Sequence, residues 1–93
     1  GLAKADQAAG QLLQALRIDS EPVVRSNSAW SLGRLYADLV EPRQREVVEA
    51  LLGAMLHDND PAVRDEARLA LEQLEDPQVL ERLQTLVDEG LLS

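Results

Sequence analysis

A shift of 39 residues lays positions 12–35 over positions 51–74 without a gap, and nine of the 24 pairs are identical. Leu12, Leu13, Ala15, Asp19, Pro22, Val24, Arg25, Leu32 and Leu35 recur as Leu51, Leu52, Ala54, Asp58, Pro61, Val63, Arg64, Leu71 and Leu74. Self-similarity at a period of this size marks a chain that stacks one supersecondary unit on the next. A further segment follows a different shift, with Pro42, Glu46, Val48, Leu51 and Leu52 lying 35 residues before Pro77, Glu81, Leu83, Leu86 and Val87. The difference of four residues is about one helical turn, and it falls after Leu35. The second helix is therefore expected to run one turn longer than the fourth, with its buried stripe still in phase.

The unit is helical. Apolar residues at Ala5, Ala9, Leu12, Leu13 and Leu16 follow the i, i+3, i+4 spacing of an amphipathic helix over positions 3–18. Breakers set four more helices, over 22–39, 42–56, 61–74 and 77–87. All four prolines fall at helix starts, where a missing N–H costs nothing, and each follows a carboxylate (Glu21, Glu41, Asp60, Asp76) placed at the positive end of a helix dipole. Composition agrees: the 45% hydrophobic fraction is mainly Leu, Val and Ala, with one Ile and with Thr85 the sole Thr. Strands prefer the residues that are scarce here.

The stretches 19–35 and 58–74 each run Asp, a short turn, Pro, Val-Arg, then Leu-x-x-Leu, with Leu-Gly-Arg-Leu closing the first. They resemble the HEAT repeat, in the subtype named after phycobilin lyases. Glu72 stands where the first copy has Gly33, and Ser28 and Ser31 stand where the second has Ala67 and Ala70. The resemblance implies an all-α, right-handed α-solenoid of antiparallel helix pairs with about five helices. One domain over 1–93 is expected: a first repeat at about 3–39, a second at about 42–74, and a half repeat or capping helix at about 77–88. The first residue is Gly and the sole Met is Met55, so a section of a longer chain is expected. About three repeats are usually needed for stability, so marginal stability or self-association through an end face is anticipated.

A formal charge of −8, from 17 acidic against 9 basic residues, argues against non-specific nucleic-acid binding and against attachment to anionic membranes. No apolar run reaches the length of a membrane span. With no Cys, disulfide frameworks, thiolate metal sites and cysteine nucleophiles are excluded. The acidity is uneven: positions 1–45 carry net +1 and positions 46–93 net −9. Either a basic partner is steered to the second half or the acidic surface is simply solvated.

Candidate site residues come from the helical wheel. On the second helix Val24, Ser28, Ser31, Leu32, Leu35 and Leu39 share one arc of about 100°, which is the expected core face. Trp30 points away from it, and Leu69 holds the same place in the second copy. The resemblance implies that the second helices line a concave side used for partners. On that reading Asn27, Trp30, Arg34, Glu66, Leu69 and Gln73 form a protein-binding surface; alternatively Trp30 covers a neighbouring repeat. Asp19 with Arg25, and Asp58 with Arg64, read either as an anion site at a helix start or, as the family implies, as a structural ladder between adjacent turns, with the aspartates capping helices.

His57 has no partner at catalytic or metal-ligand spacing and reads as a surface residue at a helix C-terminus. Asp58-Asn59-Asp60 opens like a calcium loop, but Pro61 follows where a ligand and a flexible Gly are needed. No catalytic residue, metal or cofactor is expected. The expected function is a non-enzymatic, cytoplasmic scaffold that binds a protein partner. The alternative is part of a phycobilin lyase, isomerase or phycobilisome-associated protein, holding a phycobiliprotein subunit and a linear tetrapyrrole.

Overall fold

The computed structural model describes residues 2–93. These form five α-helices, α1 (Leu2–Ile18), α2 (Pro22–Leu35), α3 (Arg43–His57), α4 (Pro61–Gln73) and α5 (Pro77–Asp88), and no strand. Pro22, Pro61 and Pro77 each take the first helical position. Asp60 and Asp76 cap α4 and α5, accepting from the Ala62 N–H at 2.8 Å and the Gln78 N–H at 2.9 Å. α3 departs from this scheme, because Pro42 is its N-cap and the helix starts at Arg43. There the Glu41 carboxylate accepts from the Arg45 N–H instead, at 2.9 Å.

The extra turn after Leu35 exists but is not α-helical. Tyr36–Asp38 tighten into a 3-10 turn, closed by the Leu39 N–H donating to the Tyr36 carbonyl at 3.0 Å. Side chains from α3 and from the cap of α5 hold it there. The Gln44 amide donates to the Tyr36 carbonyl at 3.1 Å, and the Tyr36 hydroxyl donates to Asp76 at 3.2 Å. Leu39 still reaches the core at 5% exposure.

α1 packs on α2 and α3 on α4, while α2 and α4 lie side by side in the most extensive contact of the molecule. α1 and α3 form the second layer, and α5 joins the end of the stack through a smaller contact with α4. The resulting slab measures 39 × 31 × 16 Å, its short dimension fitting two helix layers 8–10 Å apart. This is the α-solenoid architecture. No described helix is long and apolar enough to cross a membrane.

One continuous core runs through both layers: Ala9, Leu13 and Leu16 from α1, Ala29 and Leu32 from α2, Val47, Leu51, Leu52 and Met55 from α3, Val63, Ala67, Ala70 and Leu71 from α4, and Val79 and Leu83 from α5. Each fully buried Leu or Val contributes roughly 1.5–3 kcal/mol of hydrophobic stabilisation. On α2 the buried arc is wider than the wheel suggests. Ser28 and Leu32 are buried, whereas Val24, Ser31 and Leu35 are only half-buried. Ala29, outside the expected arc, is fully enclosed. The physical reason is that α2 has neighbours on two sides, α1 and α4, so no single stripe defines its interior. Ser28 is accommodated because its hydroxyl donates to the Val24 carbonyl at 2.8 Å, satisfying the polar group within its own helix.

The last turn of α5 ends in a glycine cap. Gly90, at φ +80°, places its N–H on the Val87 carbonyl at 3.0 Å and the Leu91 N–H on the Leu86 carbonyl at 2.9 Å. This is the Schellman arrangement, and a left-handed residue is what it requires.

Candidate functional site: an exposed tryptophan face and an arginine ladder

Val23, Asn27, Trp30 and Arg34 succeed one another at i, i+4, i+7 and i+11 on α2, and all four are exposed. Ala62, Glu66, Leu69 and Gln73 hold the equivalent places on α4. Trp30 is 47% exposed and Leu69 45%. The Arg34 guanidinium carbon lies 4.9 Å from the centre of the Trp30 ring, a cation–π contact one helical turn apart. That contact holds a large aromatic surface in one orientation while leaving nearly half of it open to solvent. Asn27 and Gln73 are exposed and Glu66 is half-buried. Flat aromatic surface fixed by arginine is the kind of anchor that carries protein–protein binding energy.

The arginines at the helix starts do something different. Arg25 donates to both Asp58 carboxylate oxygens, through Nε at 2.9 Å and Nη2 at 3.1 Å, and Nη2 also reaches the Asn59 side-chain oxygen at 3.1 Å. Its remaining nitrogen donates to the Asp19 carbonyl at 2.8 Å. Arg64 repeats that last contact on the Asp58 carbonyl at 2.7 Å. Arg25 thus ties the turn before α2 to the turn before α4. The pair is largely enclosed, the side chains being 11% and 9% exposed. Burial alone would raise the Asp58 carboxyl, but the Arg25 hydrogen bonds, the Asp60 N–H and the nearby Arg64 charge hold it below the usual aspartate range. The same hydrogen bonds raise Arg25. With its donors engaged in this way, Arg25 is committed to neighbouring turns and offers no vacant cradle for an anion.

Capping falls to other aspartates than Asp19 and Asp58. These two lie ahead of the N-cap positions and close the preceding turn, accepting from the Glu21 N–H and the Asp60 N–H, both at 2.9 Å. The N-caps themselves are Glu21, which makes no side-chain cap bond, and Asp60, which does. The reason is distance: a side chain three residues before the proline reaches only the turn, not the first helical N–H groups.

A second set of cross-links joins α1, α3 and α5. Arg43 donates to both oxygens of Asp6, at 3.0 and 3.1 Å, and to Glu46 at 2.8 Å. Arg82 donates to Glu49 at 2.8 Å. These bonds lower the Asp6 carboxyl and raise Arg43. Sequence reasoning missed them, although Lys4, Arg43 and Arg82 recur at the same 39-residue interval and so signalled a second ladder. Tyr36, also unremarked from sequence, is raised by burial first and then by the adjacent Asp76 charge.

His57 is exposed at the last residue of α3. Asp58 and Asp60 are held by arginine and backbone N–H groups as described. Among the described residues no cluster of three or more His, Asp or Glu side chains is arranged to hold a metal ion.

Comparison with curated proteins returns no match, and comparison with solved structures returns none either. Comparison with protein families does, matching the family described as HEAT repeats over residues 9–91. Repeated helix pairs in two layers, cross-linked from turn to turn and matched over most of their length, lead to one conclusion: the chain belongs to the HEAT repeat family.

Proposed function

We propose that the chain is a non-enzymatic scaffold that binds a protein partner on the face carrying Trp30, Asn27 and Arg34 from α2 and Glu66, Leu69 and Gln73 from α4. HEAT repeats in general mediate protein interactions. The observation that carries the reading is the half-exposed Trp30 ring held under Arg34. An aromatic side chain costs free energy in water, and here it serves no core. In stacked helix pairs the second helices line the concave side, where a partner helix or extended segment meets both stripes. A cytoplasmic setting belongs to the same reading.

The test is comparative capture. A partner recovered on the unaltered chain is expected to be lost with Trp30→Ala and Leu69→Ala and retained with His57→Ala, each variant first checked for an unchanged helical spectrum. Retention by all three variants removes this face from the reading. The resemblance to the phycobilin lyase subtype would make the partner a phycobiliprotein subunit. Incubation with a linear tetrapyrrole and an apo-phycobiliprotein would then give a coloured covalent adduct, whereas the scaffold reading expects none.

A further inference from the structure

The chain contains one complete junction between helix pairs, and that junction shows what its ends lack. In the second pair Val47, Leu51, Val63 and Ala70 are at most 1% exposed. Their 39-residue equivalents in the first pair, Ala8, Leu12, Val24 and Ser31, are all only half-buried. The same face opens into a mainly apolar groove of about 730 Å³ between the start of α1 and the end of α2, bordered by Ala5, Ala8, Leu35 and Val40. Val40 is 58% exposed there.

The charges tell the same story. The Asp58 carboxylate receives the Arg25 guanidinium, but the carboxylate of its equivalent Asp19 accepts only the Glu21 N–H and meets no cation at ion-pair distance among the described residues. Arg43 finds Asp6 on the pair before it, but its equivalent Lys4 meets no carboxylate among the described residues.

The opposite side of the second pair is built differently. The first pair presents Ser26, Ala29 and Gly33 to its neighbour's side, and a Cβ on Gly33 would stand 3.0 Å from that of Ala70. In the second pair these places hold Asp65, Arg68 and Glu72. Glu72 cannot enter the space that Gly33 occupies, so a second copy of this chain cannot stack head to tail in the same geometry.

We propose that the face formed by Ala8, Leu12, Val24 and Ser31 docks a further helix pair of this repeat design. That pair carries small residues where Ser26, Ala29 and Gly33 stand, an arginine that pairs with Asp19, and a carboxylate that pairs with Lys4. The stack therefore extends from the α1–α2 side, while the Asp65, Arg68 and Glu72 side of α4 does not accept a pair in the geometry that joins α2 to α4.

The test uses the full chain, alone and with a duplicate of its own residues 3–41 joined directly before Ala3, which preserves the 39-residue period. The duplicate supplies Gly33, Arg25 and Asp6 to the open face. The extended chain is expected to melt in one transition, with a midpoint raised by roughly 5–10 °C. Asp19→Asn keeps the turn hydrogen bond, so it is expected to move the midpoint of the 93-residue chain by less than about 1 °C and that of the extended chain by about 4–8 °C. Gly33→Leu in the duplicate alone is expected to abolish the rise. An extended chain that fails to fold, melts in two transitions or shows no raised midpoint overturns the proposal. So does an equal effect of Asp19→Asn in both chains. Sedimentation showing the 93-residue chain itself dimeric through this face would make a second copy the occupant, and would overturn it as well.

Discussion

The Arg25 guanidinium grips both oxygens of Asp58, at 2.9 and 3.1 Å, across the junction between the α1–α2 and α3–α4 helix pairs. Two parallel N–H···O contacts need the planar fork of arginine, which lysine lacks. Arg25→Ala and Asp58→Ala are each expected to lower the melting midpoint by on the order of 5–10 °C, since each strands a largely enclosed charge. The double variant should lose clearly less than the sum of the two, and Arg25→Lys should recover little. Additive losses would show that the two residues act separately.

Acid should loosen the same junction. Asp58 is held below the usual aspartate range, so the unfolded chain binds its proton more readily than the folded one. The stabilisation is complete above the ordinary aspartate value of about 3.9 and declines as pH falls through the lower folded value. Melting midpoints recorded from pH 6 downward should therefore fall steeply below about pH 4, and Asp58→Asn should flatten that slope while starting from a lower midpoint.

Close approach of α2 and α4 rests on the absence of a side chain at Gly33, since a Cβ there would lie 3.0 Å from the Ala70 Cβ and 3.4 Å from its Cα. Gly33→Leu is expected to destabilise by about 2 kcal/mol, the strain of overpacking exceeding the gain in helix propensity of up to about 1 kcal/mol. Adding Ala70→Gly should recover part of the loss. Denaturant titration of the single and double variants checks both statements.

Trp30 and Leu32 sit two residues apart and should behave oppositely. Leu32 is fully buried, and Leu32→Ala is expected to cost about 2–5 kcal/mol. Trp30, 47% exposed, should cost less than about 1 kcal/mol on truncation. Its fluorescence should be readily quenched by added iodide or acrylamide, and shielding of that quenching should accompany partner binding.

Of the three helix starts that carry proline at the first position, only that of α2 lacks a side-chain cap. Glu21→Asp should supply the bond that Asp60 and Asp76 already make, raising stability by about 0.5–1 kcal/mol. Asp60→Ala should lose about 1 kcal/mol. Equal midpoints for Glu21→Asp and the unaltered chain would show that the missing side-chain cap costs α2 no stability.

Local chemistry was legible in the sequence because it depends on neighbours along the chain. The proline starts, the 3.6-residue spacing of Leu and Ala and the 39-residue recurrence determined five helices, their approximate ends and their repetition. The outward place of Trp30 on its own helix also followed, since a helix fixes angles at short range. What only tertiary structure decided concerns residues distant in sequence. Arg25 stands six residues from Asp19, yet its side chain takes the carboxylate of Asp58, 33 residues on, and only the carbonyl of Asp19. The four-residue insertion became a 3-10 turn in which Gln44 of α3 and Asp76, the cap of α5, hold Tyr36. Ala29 is enclosed because α4 arrives on a side of α2 that periodicity leaves unmarked. Periodicity reports how a helix meets one surface; α2 meets two, and the second exists only once the pairs have stacked.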